Sequence, residues 1–283
     1  MDAIISSTIK DLPVYILLTL SFHLSFRVLN FPDLSIDASF GIGMAVLSTV
    51  LSGTQLPAPL WIGAIFAGVS GALIGGLVAL LNQHPAISIN KLLAGLLIAL
   101  SILPISLRLN DHRSTAGLYQ YADRLYLFPS NWLPDGAERA TTIIVAWWMI
   151  AIAATIILFL LVRSRLGISL RTAGYRPWIV DEAGRSSLAF VVGGMAVSGA
   201  LAALAGVMKA STDLYVDVRT LGTFMIPLAA ILVGERVVDL LAGKWLSMNK
   251  ISFSPSSSNS VRSTSSTRRR MTSTPNCSSH GIS

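Results

Sequence analysis

The sequence predicts an all-α protein, a polytopic transmembrane bundle of about seven helical spans. Three observations carry that reading. Hydrophobic residues make up 53% of the 283 positions and charged residues only 12%, about half the charge of an average soluble domain. The apolar residues come in runs near the ~20 that a helix needs to cross the hydrocarbon core of a bilayer. Cations gather in short stretches between those runs instead of covering a solvent face, so the formal charge of +7 does not indicate a nucleic-acid surface.

Taken in order, the first run is Leu12 to Leu29. Arg27 near its end can snorkel to the headgroups, and His23 reads as a satisfied buried side chain. The second run, Leu34 to Leu51, is rich in small residues and interrupted by Gly41 and Gly43. Pro59 to Leu81 is the third, with Trp61 where an interfacial aromatic would sit. Ile87 to Leu107 is the fourth, followed by a polar stretch from Asn110 to Arg139. Thr142 to Val162, opening on Trp147 and Trp148, is the fifth. A second polar stretch, Arg163 to Ser187, leads to Leu188–Met208 and then to Leu221–Leu241.

Charge sets the expected orientation. The Arg163–Ser187 stretch holds Arg163, Arg165, Arg171, Arg176 and Arg185 against only Asp181 and Glu182, which makes it cytoplasmic by the positive-inside rule. Alternation then puts Asn110–Arg139 and the amino terminus outside. Close helix packing is expected from Gly71 and Gly75, a G-x-x-x-G, and from Ala202 and Gly206. The tetrapeptide Ser70–Leu73 recurs at Ser198–Leu201, a length at which Ala- and Gly-rich helices repeat by chance.

The organisation expected is a permease-type membrane domain over 1–246 and a disordered Ser/Thr/Arg-rich tail over 247–283. The tail has Lys250, Arg262, Arg268, Arg269 and Arg270 and no acid, so the rest of the chain carries only +2 of the +7. Two readings stand for it: a basic arm near anionic headgroups, or the product of a reading-frame shift at the abrupt change of composition around Gly243–Ser247. One cysteine, Cys277, excludes a disulfide framework, and the four histidines show no metal-ligand spacing. Phosphate-cradling, zinc-hydrolase, nucleophile-elbow and dinucleotide motifs are absent from the sequence. The expectation is a chain that is not an enzyme and has neither cofactor nor metal.

Transport sites form where membrane helices are interrupted, because freed backbone groups can face a solute. Gly41 and Gly43 in the second run, and Gly222 and Pro227 in the seventh, mark a candidate translocation path; simple tolerance of Gly and Pro in membrane helices is the other reading. Asp37 joins the candidates as an ionisable residue inside a span, although a first-turn acid also complements the helix dipole. The Arg163–Ser187 stretch is more than a connector. Ile168–Ala173 and Trp178–Ala183 can form short helices separated at Pro177, and exposed Trp178 and Ile179 suggest a docking partner or an interfacial helix.

Leu166-Gly167, then Leu170-Arg171-Thr172-Ala173-Gly174, Ala183-Gly184-Arg185-Ser186, Gly193-Gly194, Ser198–Leu201 and Ala205-Gly206 resemble the coupling segment and following helix of ABC importer permeases of the branched-chain amino acid and ribose superfamily. Phe26 to Phe40, with Phe31-Pro32-Asp33-Leu34, resembles a narrower branch of uncharacterised permeases labelled as tryptophan or tyrosine systems. The resemblance covers about Leu12 to Val237. It implies a permease dimer in a bacterial inner membrane, a separate ABC ATPase gripping Arg171 to Ser187, and an extracytoplasmic binding protein that delivers substrate. The coupling residues it implies are Arg171, Ala173, Gly174, Asp181, Ala183, Gly184, Arg185 and Ser186. Relatives of that kind continue with further spans after the counterpart of Gly234-Glu235, where this chain turns into its Ser-rich tail; Trp178-Ile179-Val180 also departs from their pattern. The function expected is an importer permease for a small solute, such as an amino acid. An ion-coupled carrier and a non-transporting scaffold are the alternatives.

Overall fold

The computed structural model of the chain describes residues 2–31, 33–53, 59–83, 91–125 and 138–218, with Ala229, Val233, Gly234 and Val237 helical beyond them. The elements in order are α1 (Asp2–Phe22), a π-helix (His23–Val28), α2 (Ser35–Gly53), α3 (Pro59–Gln83), α4 (Lys91–Leu109), β1 (Thr115–Gly117), a 3-10 helix (Tyr119–Arg124), α5 (Glu138–Arg163), α6 (Arg165–Tyr175), α7 (Pro177–Glu182), α8 (Ser187–Asp213) and β2 (Tyr215–Asp217). All belong to one compact unit, Met1–Val237. Gly222, Pro227 and the 247–283 tail lie outside the described residues.

Five helices are long and apolar enough to cross a membrane: Ser7–Val28, Ser35–Gly53, Leu60–Asn82, Ile144–Arg163 and Ser187–Asp213, with a shorter apolar helix at Leu93–Leu109. They coincide with the first six runs of the sequence. The chain is a multi-pass helical membrane protein, as a lipid solvent demands, because only helices satisfy their own backbone hydrogen bonds within one segment. Its outer surface agrees. Ile65, Phe66, Leu73 and Leu77 on α3 and Met149, Ile156, Phe159 and Leu160 on α5 are large, apolar and exposed, which in water would be an aggregation surface.

The centre is α2, the most deeply buried of the spans, and the broadest helix contact is α3 with α8. In lipid no hydrophobic force distinguishes a partner helix from solvent, so association depends on close backbone approach and polar contacts between helices. Gly71 and Gly199 face each other so tightly that a Cβ on either would strike the carbonyl of the other, and one on Gly75 would strike that of Met195. The repeated tetrapeptides Ser70–Leu73 and Ser198–Leu201 therefore meet at the crossing of α3 and α8. On the other side of α8, Ser198 Oγ donates to the Ser21 carbonyl (2.9 Å) and Ser21 Oγ to the Ser198 carbonyl (2.7 Å), clasping α1. Near the far end of α8, Lys209 Nζ joins Asp11 (2.8 Å) and Asp213 (3.0 Å).

The segments after α4 and after α8 pair as a two-stranded antiparallel sheet, Ala116 opposite Val216. These two segments therefore share one end of the bundle, the arrangement that alternation from the Arg163–Ser187 stretch requires. Leu118, Val216 and Val218 from this cap are buried against Phe40, Met44 and Ala203 of the core. At the opposite end α1 passes into the π-helix, whose His23 and Arg27 are exposed. The expectation of a buried His23 is thus corrected: the wider π turn directs Leu24, Ser25 and Val28 inward instead.

Candidate functional site

The stretch between α5 and α8 folds into two short helices broken at Arg176, whose backbone leaves the helical region (φ −143°, ψ 76°). Pro177, expected to separate two helices, instead opens the second one, where its missing N–H costs nothing. α6 turns back sharply from α5, and Gly167 permits this because a Cβ there would collide with the Val162 carbonyl. α7 ends in a Schellman turn. Gly184 sits at φ +74°, its N–H donates to the Asp181 carbonyl (3.0 Å), and the Arg185 N–H donates to that of Val180 (3.1 Å). Asp181 then caps α8: its carboxylate accepts from the Ser187 N–H (2.9 Å) and the Ser187 hydroxyl (3.0 Å).

The eight coupling candidates divide by exposure. Arg171, Asp181, Ala183, Gly184, Arg185 and Ser186 face solvent, together with Tyr175 and Trp178, whereas Ala173 is buried. Gly174 faces inward onto the chain after the π-helix, where a Cβ would overlap the Leu29 backbone. Leu29 is clasped from its other side by Gly194 of α8, whose added Cβ would lie 2.9 Å from Leu29 Cδ2. Beside this contact lies a cavity of about 630 Å³ between Leu29–Phe31 on one side and Pro177, Asp181 and Ser187 on the other. In the sequence, Gly194 is marked only through the Gly193-Gly194 pair of the resemblance, and Leu29 only as the end of the first run.

Of the path candidates, Asp37 and Gly41 come together. They line a small, partly open space of about 10 Å³ between α2 and α4, with Ala99, Ile102, Leu103, Ser106 and, from the β2 end, Val218, roughly room for one water. Asp37 is buried. Gly43 points elsewhere: it meets the backbone of Ala203 on α8 and serves helix approach. α2 and α4 run side by side in the same direction. A Cβ on Gly95 would lie 2.7 Å from Asp33 Oδ1 at one end; Thr49 Oγ1 donates to the Leu109 carbonyl (3.0 Å) and Ser48 Oγ to Asn110 Oδ1 (3.0 Å) at the other. That second end opens into a polar pocket of about 170 Å³ that includes Ser52, Asp111, Arg113 and Tyr121.

Asp33 caps α2 and is buried; its carboxylate accepts from the Ser35 N–H (2.8 Å) and hydroxyl (2.8 Å). Burial pushes its carboxyl up to about 6, against the two Ser35 hydrogen bonds, which lower it. Among the described residues no group of three His, Cys, Asp or Glu side chains is placed to hold a metal ion.

The described residues form a helical bundle with an apolar outer surface, a narrow gap holding Asp37 and Ser106 between two parallel helices, and an exposed two-helix segment at one end. The chain belongs to the family described as branched-chain amino acid transport system / permease component, whose model matches residues 4–245. It is 26% identical over 235 residues to a tyrosine transport system permease protein of Clostridioides difficile, covering 83% of this chain and 73% of that one. It is 25% identical over 221 residues to an uncharacterized protein of Rickettsia prowazekii, covering 78% and 72%. No solved structure matches the chain.

Proposed function

We propose that the chain is the membrane-spanning permease subunit of an ABC-type importer, resident in a bacterial inner membrane and working as a permease dimer. It is a transport subunit and not an enzyme: a separate ABC ATPase supplies the energy, and an extracytoplasmic binding protein delivers the solute. The observation that carries this reading is the exposed α6–α7 segment, with Arg171, Tyr175, Trp178 and Asp181–Ser186 turned to solvent while Ala173, Gly174 and Val180 anchor it to the bundle. A loop that only connected two spans would need neither the anchoring nor the apolar exposure. Kinship with a tyrosine permease supports an amino acid as the solute.

Transport proceeds by alternating access. Closure of two ATPase subunits moves α6–α7, and the movement opens and closes a path along α2 in which Asp37 and Gly41 are the candidate contacts, with Gly222 and Pro227 contributing from the seventh run. Gly43 remains a candidate through its neighbours only. The test is a pull-down with a cognate ABC ATPase, sought among the neighbouring genes, repeated with Ala183, Gly184 and Arg185 replaced by bulky or acidic residues. Lost association and lost stimulation of ATP hydrolysis are expected; unchanged values for both would refute the docking assignment.

A further inference from the structure

We infer that the stroke of the α6–α7 segment reaches the α2–α4 seam through Leu29, held between Gly174 of α6 and Gly194 of α8, and through the π-helix lock formed by Ser25. This rests on the reading of the chain as an ATPase-driven permease and names how that site is wired. The route can be followed atom by atom. α6 presents backbone to backbone at Gly174 and Leu29, a contact with no side chain to yield, so displacement of α6 is passed on rather than absorbed. α7 packs on α6 and α8, and the 630 Å³ cavity lies between it and Leu29–Phe31.

Leu29 cannot move alone. Its N–H donates to the Leu24 carbonyl (3.1 Å), and the Phe31 N–H donates to the Ser25 carbonyl (3.0 Å). Ser25 Oγ returns a hydrogen bond to the Phe31 carbonyl (2.7 Å) and also reaches Met195 Sδ on α8 (3.6 Å). Phe31 is therefore held to the π-helix at both its N–H and its carbonyl, across Asn30 with its left-handed backbone (φ 51°). Just beyond, Asp33 binds Ser35 at the start of α2 and touches α4 at Gly95. One turn beyond Asp33 lies Asp37 and two turns beyond lies Gly41, which with α4 line the narrow space in the seam. The π-helix is a natural seat for such a joint, because such turns are rare and recur at functional sites.

The test uses the full transporter, chain plus ATPase plus binding protein, in proteoliposomes, and measures ATP hydrolysis and tyrosine uptake in the same vesicles. Ser25→Ala removes the lock and Leu29→Ala empties the clasp; both are expected to keep the ATPase bound and hydrolysing while uptake per ATP falls about fivefold. Leu29→Met, which keeps the volume, is expected to restore most of the ratio, and Ser101→Ala, on the exposed side of α4, to leave it unchanged. The inference is overturned if uptake per ATP is unaltered in both alanine variants, or if hydrolysis and uptake decline together at constant ratio. A wild-type chain that binds no ATPase would overturn the ATPase-driven reading on which this rests, and is told apart from failure of the joint by the binding step alone.

Discussion

Replacing Gly199 by alanine adds one methyl group at the tightest point of the bundle. That methyl would overlap the Gly71 carbonyl oxygen and lie 2.9 Å from its carbon and 3.3 Å from the Gly75 nitrogen, whereas ordinary contact starts at 3.4 Å. α3 and α8 must part by at least half an ångström, and a gap of ~0.5–1 Å forfeits about a quarter to a half of each dispersion contact along the seam. Overpacking of this kind costs about 1–3 kcal/mol, and the α3–α8 contact is the broadest in the fold, so the upper part of that range, about 3 kcal/mol, is expected. Gly193, six residues earlier on the same helix, is the control: it is exposed and a Cβ there meets nothing within 4 Å. Gly193→Ala should be neutral or stabilising by up to ~1 kcal/mol through helix propensity. Denaturant unfolding in detergent micelles, followed by tryptophan fluorescence, reads both. Equal stability of Gly199→Ala and Gly193→Ala would refute the backbone-contact account of the bundle.

Three further outcomes follow from particular residues. Asp33 holds its proton more tightly in the fold, with its carboxyl at about 6 against an ordinary 3.8; its stabilising contribution is therefore complete below pH 3.8 and is lost as pH rises through 6, about 3 kcal/mol in all. Asp33→Asn should accordingly be the more stable chain at pH 7.5 and lose most of that advantage by pH 4.5 in thermal melts, and a difference that does not change with pH contradicts the assignment. Gly184→Ala introduces no clash but forces a Cβ into φ +74°, so hydrogen exchange in α7 should quicken by the equivalent of about 1 kcal/mol; unchanged protection would count against the turn. Exposed Tyr119 and Trp178 test sidedness in a chain with Cys277 replaced: an impermeant maleimide should label Tyr119→Cys in intact spheroplasts and Trp178→Cys only after lysis, and the reverse order would invert the orientation.

The first six spans were legible because their signal is length and composition, which a lipid solvent enforces directly; the seventh, Leu221–Leu241, lies mostly outside the described residues. The α6–α7 helices were legible too, apart from their dividing point: Pro177 reads as a breaker, yet proline fixes a backbone angle that suits the first turn of a helix, and the break falls on Arg176. The site was less so. Gly41 and Gly43 look equivalent in sequence but lie two residues apart on α2 and so face different neighbours, one the α4 seam and the other α8. Repetition of Ser-Gly-Ala-Leu looks accidental until α3 and α8 are seen to cross at Gly71 and Gly199. Leu29 carries no signal of its own, since its importance lies in two glycines far along the chain that leave room for it.

The account stands most directly on what drives solute movement. Proteoliposomes holding the chain with a cognate ABC ATPase, with binding protein and a mixture of radiolabelled amino acids added on the opposite face, should accumulate label only when ATP is present on the ATPase side. Ionophores that collapse proton and sodium gradients should leave that uptake intact. Uptake by the chain alone under an imposed ion gradient, indifferent to ATP, would contradict it and favour the ion-coupled carrier.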